Sequence, residues 1–180
     1  TNAGAVTVVG SLAKCGIRFR NGRSKSKDYR RSGLVEAAGR FRHVIDDVVP
    51  IGAPCPCGLP ARYDDCCGRI HRGDASAVTA EALMRSRYSA FAVGDLAYLA
   101  RSWHPETRPR KIHDDPARSW TGLTVLATSG GGMLDQEGTV EFEAHHTGGN
   151  DDGPGTDHVV HEHSTFARFD GRWVYVGRLP

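Results

Sequence analysis

The chain has 180 residues, 39% of them hydrophobic and 24% charged, a composition that suits one globular domain plus an attachment and excludes a fibre or a repeat array. No stretch approaches the roughly 18 uninterrupted apolar residues of a transmembrane helix, which excludes a helical membrane protein. The formal net charge of +2 conceals an asymmetry: residues 1–50 hold ten Lys or Arg against four acids, and residues 51–180 hold thirteen against seventeen.

The apolar stretch 5–13 has neither a basic leader nor a convincing cleavage site, so the chain reads as a soluble, cytoplasmic protein. Arg18, Arg20, Arg23, Lys25, Lys27, Arg30 and Arg31 follow, interleaved with Gly, Ser and Asn and set on no helical stripe. Such a segment repels itself and buries little, so residues 1–50 are expected to be a disordered basic extension. Clustered Arg and Lys also suit phosphates, but Tyr29 alone interrupts the densest basic run. Stacking platforms need more aromatics, and nucleic acid is not the expected partner. Residues 34–49 have the pattern of a short helix or strand ending at Pro50.

From Cys55 the signals become dense. A cysteine knuckle occupies 55–67, a helical stretch runs over 79–103, and a loop holding Pro105, Pro109 and Pro116 follows. Alternation then predicts strands over 123–128, 139–146, 159–169 and 173–176. Asp170-Gly171 is a strong hairpin turn, since both residues tolerate positive φ. The Gly- and Asp-rich piece over 148–157 reads as a mobile loop. Helices followed by an antiparallel sheet indicate an α+β domain.

The knuckle sets Cys55, Cys57, Cys66 and Cys67 within thirteen residues, as C-x-C-x8-C-C. Four soft thiolates that can close around one point suit tetrahedral zinc, or an iron of similar coordination. A disulfide framework fits poorly, because Cys66-Cys67 are adjacent and Cys55 and Cys57 almost as close. With all four positions filled by sulfur, no position is open for a reacting water, so the expected role of the metal is structural. His71 is a candidate replacement ligand or hydrogen-bond donor to a thiolate, against an ordinary loop histidine. Cys15 is left as a free thiol.

These residues resemble the SEC-C motif, a metal-binding knuckle named for the C-terminus of the translocation ATPase SecA. The chain after it, with residues 79–91, Tyr98-Leu99, Trp103-His104-Pro105, Thr107-Arg108-Pro109, Trp120, residues 138–142, His161-Glu162-His163-Ser164, Phe166 and Asp170-Gly171-Arg172-Trp173, resembles the YchJ family of bacterial proteins. The resemblance covers 55–177. After the basic extension over 1–50, which has no counterpart in the family, it implies a SEC-C knuckle over 51–75 and a domain similar to nuclear transport factor 2 over 76–180. That last fold is a curved antiparallel sheet wrapped by helices into a cone. It also implies a protein partner at the knuckle, of chaperone, translocation or ribosome-associated type. Where SEC-C knuckles usually read Gly-Ser-Gly-Lys after the second cysteine, this chain has Gly58, Leu59, Pro60 and Ala61, and the basic residue falls at Arg62.

Within the domain, Thr79 is the expected N-cap and Glu81 sits in the first turn. Ala80, Leu83, Met84, Tyr88 and Phe91 share one arc of a helical wheel, with Arg87 inside it and Arg85 pointing away. Gly94 ends this helix and Asp95 caps a second, whose Leu96, Leu99 and Trp103 share a side. On the strand over 159–169, Val160, Glu162, Ser164 and Phe166 share the inner face, so Glu162 is expected to pair with Arg87 inside the cone. Tyr88, Trp103, His104, Arg108 and Ser164 complete the candidate pocket. His145, His146, His158, His161 and His163 read as solvated histidines rather than a second metal site.

The favoured reading is a metal-binding adaptor. An alternative is a small hydratase or isomerase, with Glu162, His104 or His146 as base and Arg87 or Arg108 as anion anchor. A third is nucleic-acid or ribosome binding through the basic arm and knuckle. An enzyme predicts an enclosed pocket, whereas an adaptor predicts a filled cone and an exposed apolar patch near the knuckle.

Overall fold

The computed structural model describes residues 49–149 and 155–180. The basic extension, the pattern running up to Pro50 and the tip of the Gly/Asp loop therefore fall largely outside the described residues.

The cysteine segment forms a single 3-10 turn, Tyr63–Asp65, and a short helix α1, Cys67–Arg72. Gly68 lies where α1 crosses the preceding turn. A Cβ there would sit 2.7 Å from the Tyr63 carbonyl oxygen and 3.1 Å from its ring, so only glycine fits without displacing backbone.

The helical stretch over 79–103 is two helices, divided at the predicted glycine. The Thr79 hydroxyl accepts from the Ala82 N–H at 3.0 Å and starts α2, Ala80–Val93. Gly94, with φ 72°, ends it in the left-handed conformation. Asp95 then accepts from the Tyr98 N–H at 2.8 Å and caps α3, Leu96–Arg101. Tyr98 and Leu99 are buried on α3, but Leu96 is 38% exposed. The expected stripe through Leu96 and Trp103 fails because α3 is under two turns long and Trp103 lies beyond its end.

Four strands follow: β1 Ser119–Gly130, β2 Glu137–Thr147, β3 Asp157–Phe169 and β4 Arg172–Arg178. They pair in chain order as an antiparallel meander. Every predicted strand forms. β1 starts at Ser119 rather than 123 because register shifts after Trp120 and Val125 interrupt the alternation that marks a strand.

The inner face is set by register. Val140 opposes Ser164, Phe142 opposes Glu162, and Phe166 opposes Tyr175. Val140, Phe166 and Trp173 of this face pack against Leu83, Met84 and Leu99 of the helices. Two further links close the cone. The chain after α3 adds to β4, with His104 N–H donating to the Tyr175 carbonyl at 2.7 Å and Tyr175 N–H to the Ser102 carbonyl at 2.9 Å. The β1–β2 turn docks on the start of α2 through Ala80 N–H to the Gly131 carbonyl at 2.9 Å. No helix among the described residues is long and apolar enough to cross a membrane.

Gly68→Ala raises intrinsic helix propensity yet drives a methyl group into the Tyr63 carbonyl. It should destabilise the protein by about 1–3 kcal/mol. Urea unfolding checks this, and an unchanged or higher midpoint would contradict the close approach.

Candidate functional site

The knuckle gathers its sulfurs by local backbone geometry. Pro54 and Arg62 form an antiparallel bridge, and the Cys55 N–H donates to the Ala61 carbonyl at 2.9 Å, which folds the first cysteine pair into a tight hairpin. The 3-10 turn then carries the chain to Cys66. That residue has φ −117° and ψ −112° at the entry of α1, so adjacent side chains can turn to one point.

All four cysteines are free thiols, with their Sγ atoms within 4.8 Å of one another. Cys57 and Cys66 are 3.7 Å apart, and Cys66 and Cys67 4.0 Å. Sulfurs bound at about 2.3 Å in a tetrahedron stand about 3.8 Å from each other. A disulfide needs about 2.05 Å. The spacing fits four ligands of one ion and not a covalent pair.

The electrostatics agree with the donor chemistry. Hydrogen bonds with Cys57 and Cys67 hold the Cys55 thiol far below its ordinary range. Burial, and then the charge on Cys55, push Cys66 up to about 12. Cys67 is driven higher still, first by its hydrogen bonds with Cys55 and Cys57. Cys55 thus favours the thiolate while Cys66 and Cys67 resist it, and a cation removes that conflict because metal binding expels the remaining protons. The four cysteines could therefore hold a metal ion.

Helix α2 backs the knuckle. The Ser89 Oγ lies 3.7 Å from the Cys55 Sγ, and Arg85 NH1 donates to the Cys57 carbonyl at 3.0 Å. Arg85 thus turns toward the knuckle rather than to solvent, with Glu81 accepting from its Nε at 2.8 Å. His71 is neither a ligand, nor a donor to a thiolate, nor a loop residue. It sits buried on α1, where its Nε2–H donates to the Ser86 carbonyl at 2.8 Å and its Nδ1 accepts from the Tyr63 hydroxyl at 2.7 Å. Burial lowers its pKa, so the ring stays neutral and both bonds persist.

On the other side of α2 lies a cavity of about 330 Å³. Arg87, Tyr88, Trp103, Glu162 and Ser164 all line it. His104 and Arg108 do not. His104 packs on Phe169 with ring centres 5.1 Å apart, and Arg108 faces an outer groove beside Arg101 and Asp170.

Arg87 and Glu162 share the cavity but form no ion pair. Arg87 NH1 donates to the Leu99 carbonyl at 3.0 Å and the Ser102 hydroxyl at 2.8 Å. Burial lowers Arg87 to about 10, which leaves it charged at neutral pH. Glu162 accepts instead from Ser164, from the Tyr175 hydroxyl at 3.0 Å and from Arg178 at 3.4 Å. The Tyr175 ring stands between the two charges, 4.4 Å from the Arg87 guanidinium carbon, and burial raises its hydroxyl to about 12. Both the direct pairing and the bases at His104 and His146 depended on distances that strand alternation does not supply. His146 is buried outside the cavity lining, stacked on His158 at 5.2 Å, and burial lowers its pKa. His161 pairs with Glu141 at 2.8 Å on the exposed side of the sheet.

Residues 79–177 match the family described as YchJ, middle NTF2-like domain. The chain belongs to the YchJ family. A UPF0225 protein of Streptomyces coelicolor is 52% identical over 122 residues, which span 68% of this chain and 91% of that protein. A UPF0225 protein of Cupriavidus metallidurans is 48% identical over 130 residues, spanning 69% and 86%. Two solved structures are similar. A SEC-C motif containing protein from Rhodopseudomonas palustris is 37% identical with a TM-score of 0.60, covering 69% of this chain and 96% of that one. A sec-c motif containing protein from Psychrobacter arcticus is 29% identical with a TM-score of 0.53, covering 68% and 79%. The α+β cone with a cysteine knuckle before it is thus the YchJ arrangement.

Some site residues of this YchJ chain escaped sequence reasoning. Arg118, Trp120 and Tyr175 line the cavity. Tyr175 shares its β4 face with Trp173, which alternation could have indicated. Arg118 precedes β1 in a loop, where no periodicity operates.

His71→Leu should cost about 1–3 kcal/mol, because it leaves the Tyr63 hydroxyl buried without a partner and takes from the Ser86 carbonyl the one bond it receives from outside its helix. Chemical unfolding of the metal-saturated protein measures this, and a loss below 1 kcal/mol would contradict the bridging role. Metal affinity should also fall steadily with acidification, since each ligand must lose a proton to bind. A chromophoric chelator titrated across pH reads that slope, and a flat profile would exclude thiolate ligation.

Proposed function

We propose that Cys55, Cys57, Cys66 and Cys67 hold one zinc ion as a structural staple, and that the knuckle so formed is the docking surface of a protein-interaction adaptor. The convergence of four sulfurs within 4.8 Å carries this reading. Iron shares the coordination and is the alternative ion. We assign residues 51–75 to the knuckle and 76–180 to the cone domain as functional parts, although α2 of the cone domain also backs the knuckle. When bound, the ion supplies cross-linking and no chemistry, because the sulfurs leave it no open position.

The knuckle presents Leu59 at 44% exposure, with Pro60, Ala61 and Arg62 exposed beside it, and Ile51 at 84%. Apolar and basic groups on a rigid loop suit an acidic, partly apolar protein segment. By likeness to SEC-C knuckles, the partner class is a chaperone, a translocation component or a ribosome-associated protein. The expectation of a filled cone does not accompany this reading, given the cavity. A hydratase or isomerase would use Glu162 as its base, but three donors already occupy that carboxylate. The cavity is therefore better suited to binding than to proton abstraction.

Protein purified without chelators should contain about one zinc per chain, and Cys66→Ser/Cys67→Ser should contain none. Elemental analysis decides the metal, and a wild-type content well below one would defeat it. Affinity capture compares the same two proteins, and retention of every partner by the variant would remove the adaptor role from the knuckle.

A further inference from the structure

The cone cavity holds more hydrogen-bond donors than the protein satisfies. Arg87 is 6% exposed and donates only to uncharged partners, the Leu99 carbonyl and the Ser102 hydroxyl. Among the described residues, no carboxylate lies within ion-pair distance of it. The indole N–H groups of Trp103 and Trp120 and the Nε–H of Arg118 are buried and find no acceptor. All four side chains line the same space of about 330 Å³.

These donors fall into two pairs. The Arg87 guanidinium lies 4.9 Å from the Trp103 ring centre, and that of Arg118 lies 5.4 Å from the Trp120 ring centre. Glu162 is the lone carboxylate in the lining, and Ser164, Tyr175 and Arg178 already donate to it. Two arginines against one glutamate leave the lining an excess positive charge. Buried donors and an unpaired guanidinium are costly in a site of low polarity, so a bound anion is the arrangement that answers them. Met84, Phe91 and Phe142, with Ala144 and Val160, give the wall an apolar part that an inorganic ion would not cover.

We propose that the cavity binds a small organic monocarboxylate, its carboxylate held by the arginine and indole donors and its apolar body lying against Met84, Phe91 and Phe142. The site is separate from the knuckle and stands whether or not the knuckle docks a partner. Charge-assisted bonds from guanidinium to carboxylate set the preference for the acid over its neutral amide.

The test titrates the metal-loaded full chain with phenylacetate and hexanoate, with phenylacetamide and hexanamide as neutral matches, and with inorganic phosphate. Tryptophan fluorescence reports occupancy, because two of the three tryptophans line the cavity. At least one acid should bind saturably, about tenfold or more tighter than its amide and than phosphate. Arg118→Gln and Trp120→Phe should each weaken binding severalfold while the unliganded melting temperature stays near that of the wild type. Arg108→Gln, outside the cavity, should leave affinity unchanged. Amides or phosphate binding as tightly as the acids, no saturable response to either acid, or unaltered affinity in both cavity variants would overturn the proposal.

Discussion

Four sulfurs drawn from thirteen residues can share one ion only if the backbone brings them within a tetrahedral edge of each other while keeping them from bonding covalently. That demand shapes the knuckle. The Pro54–Arg62 bridge positions Cys55 and Cys57, and the unusual Cys66 backbone turns two neighbouring side chains to one centre. Gly68 lets α1 cross close over Tyr63. So short a segment buries little apolar surface of its own, and an ion shared by the four thiolates would compensate for the missing core.

The knuckle is held against the cone by polar contacts to α2. Ser89 meets Cys55, Arg85 binds the Cys57 carbonyl, and the Ser86 carbonyl accepts from His71. The opposite side of α2 gives Met84, Arg87, Tyr88 and Phe91 to the cavity. This explains why the helix is buried far beyond its apolar arc, with Ser86, Ser89 and Ala90 fully enclosed. Small side chains allow close approach of a second layer, and their hydroxyls meet its polar atoms. One helix therefore serves as wall for both the cysteine cluster and the cavity.

The two sides handle charge differently. At the knuckle, crowded thiols resist ionising together, and a cation that binds them as thiolates lifts that resistance. In the cone, arginines rest on aromatic rings and carbonyls, with the one lining carboxylate already engaged. Cation–π contact and carbonyl bonding make burial of Arg87 tolerable without neutralising it.

The cysteine spacing, Thr79, Gly94, Asp95 and the strand alternation were legible in the sequence because each acts over a few residues, through ligand reach, capping, left-handed φ or period-two exposure. The inward face of Glu162 was legible on the same ground. Its partner was not, since Arg87 and Glu162 lie on separate elements, and the Tyr175 ring that parts them arrives from β4. The role of Arg85, the bridge through His71 and the exclusion of His104 and Arg108 from the cavity likewise arise from packing between elements distant in the chain. By itself, the sequence determined that four thiols converge and that helices precede an antiparallel sheet, because those properties are local. Only the tertiary structure decided which charges face each other and which donors remain unanswered, because both depend on distances across a cone that no periodicity encodes.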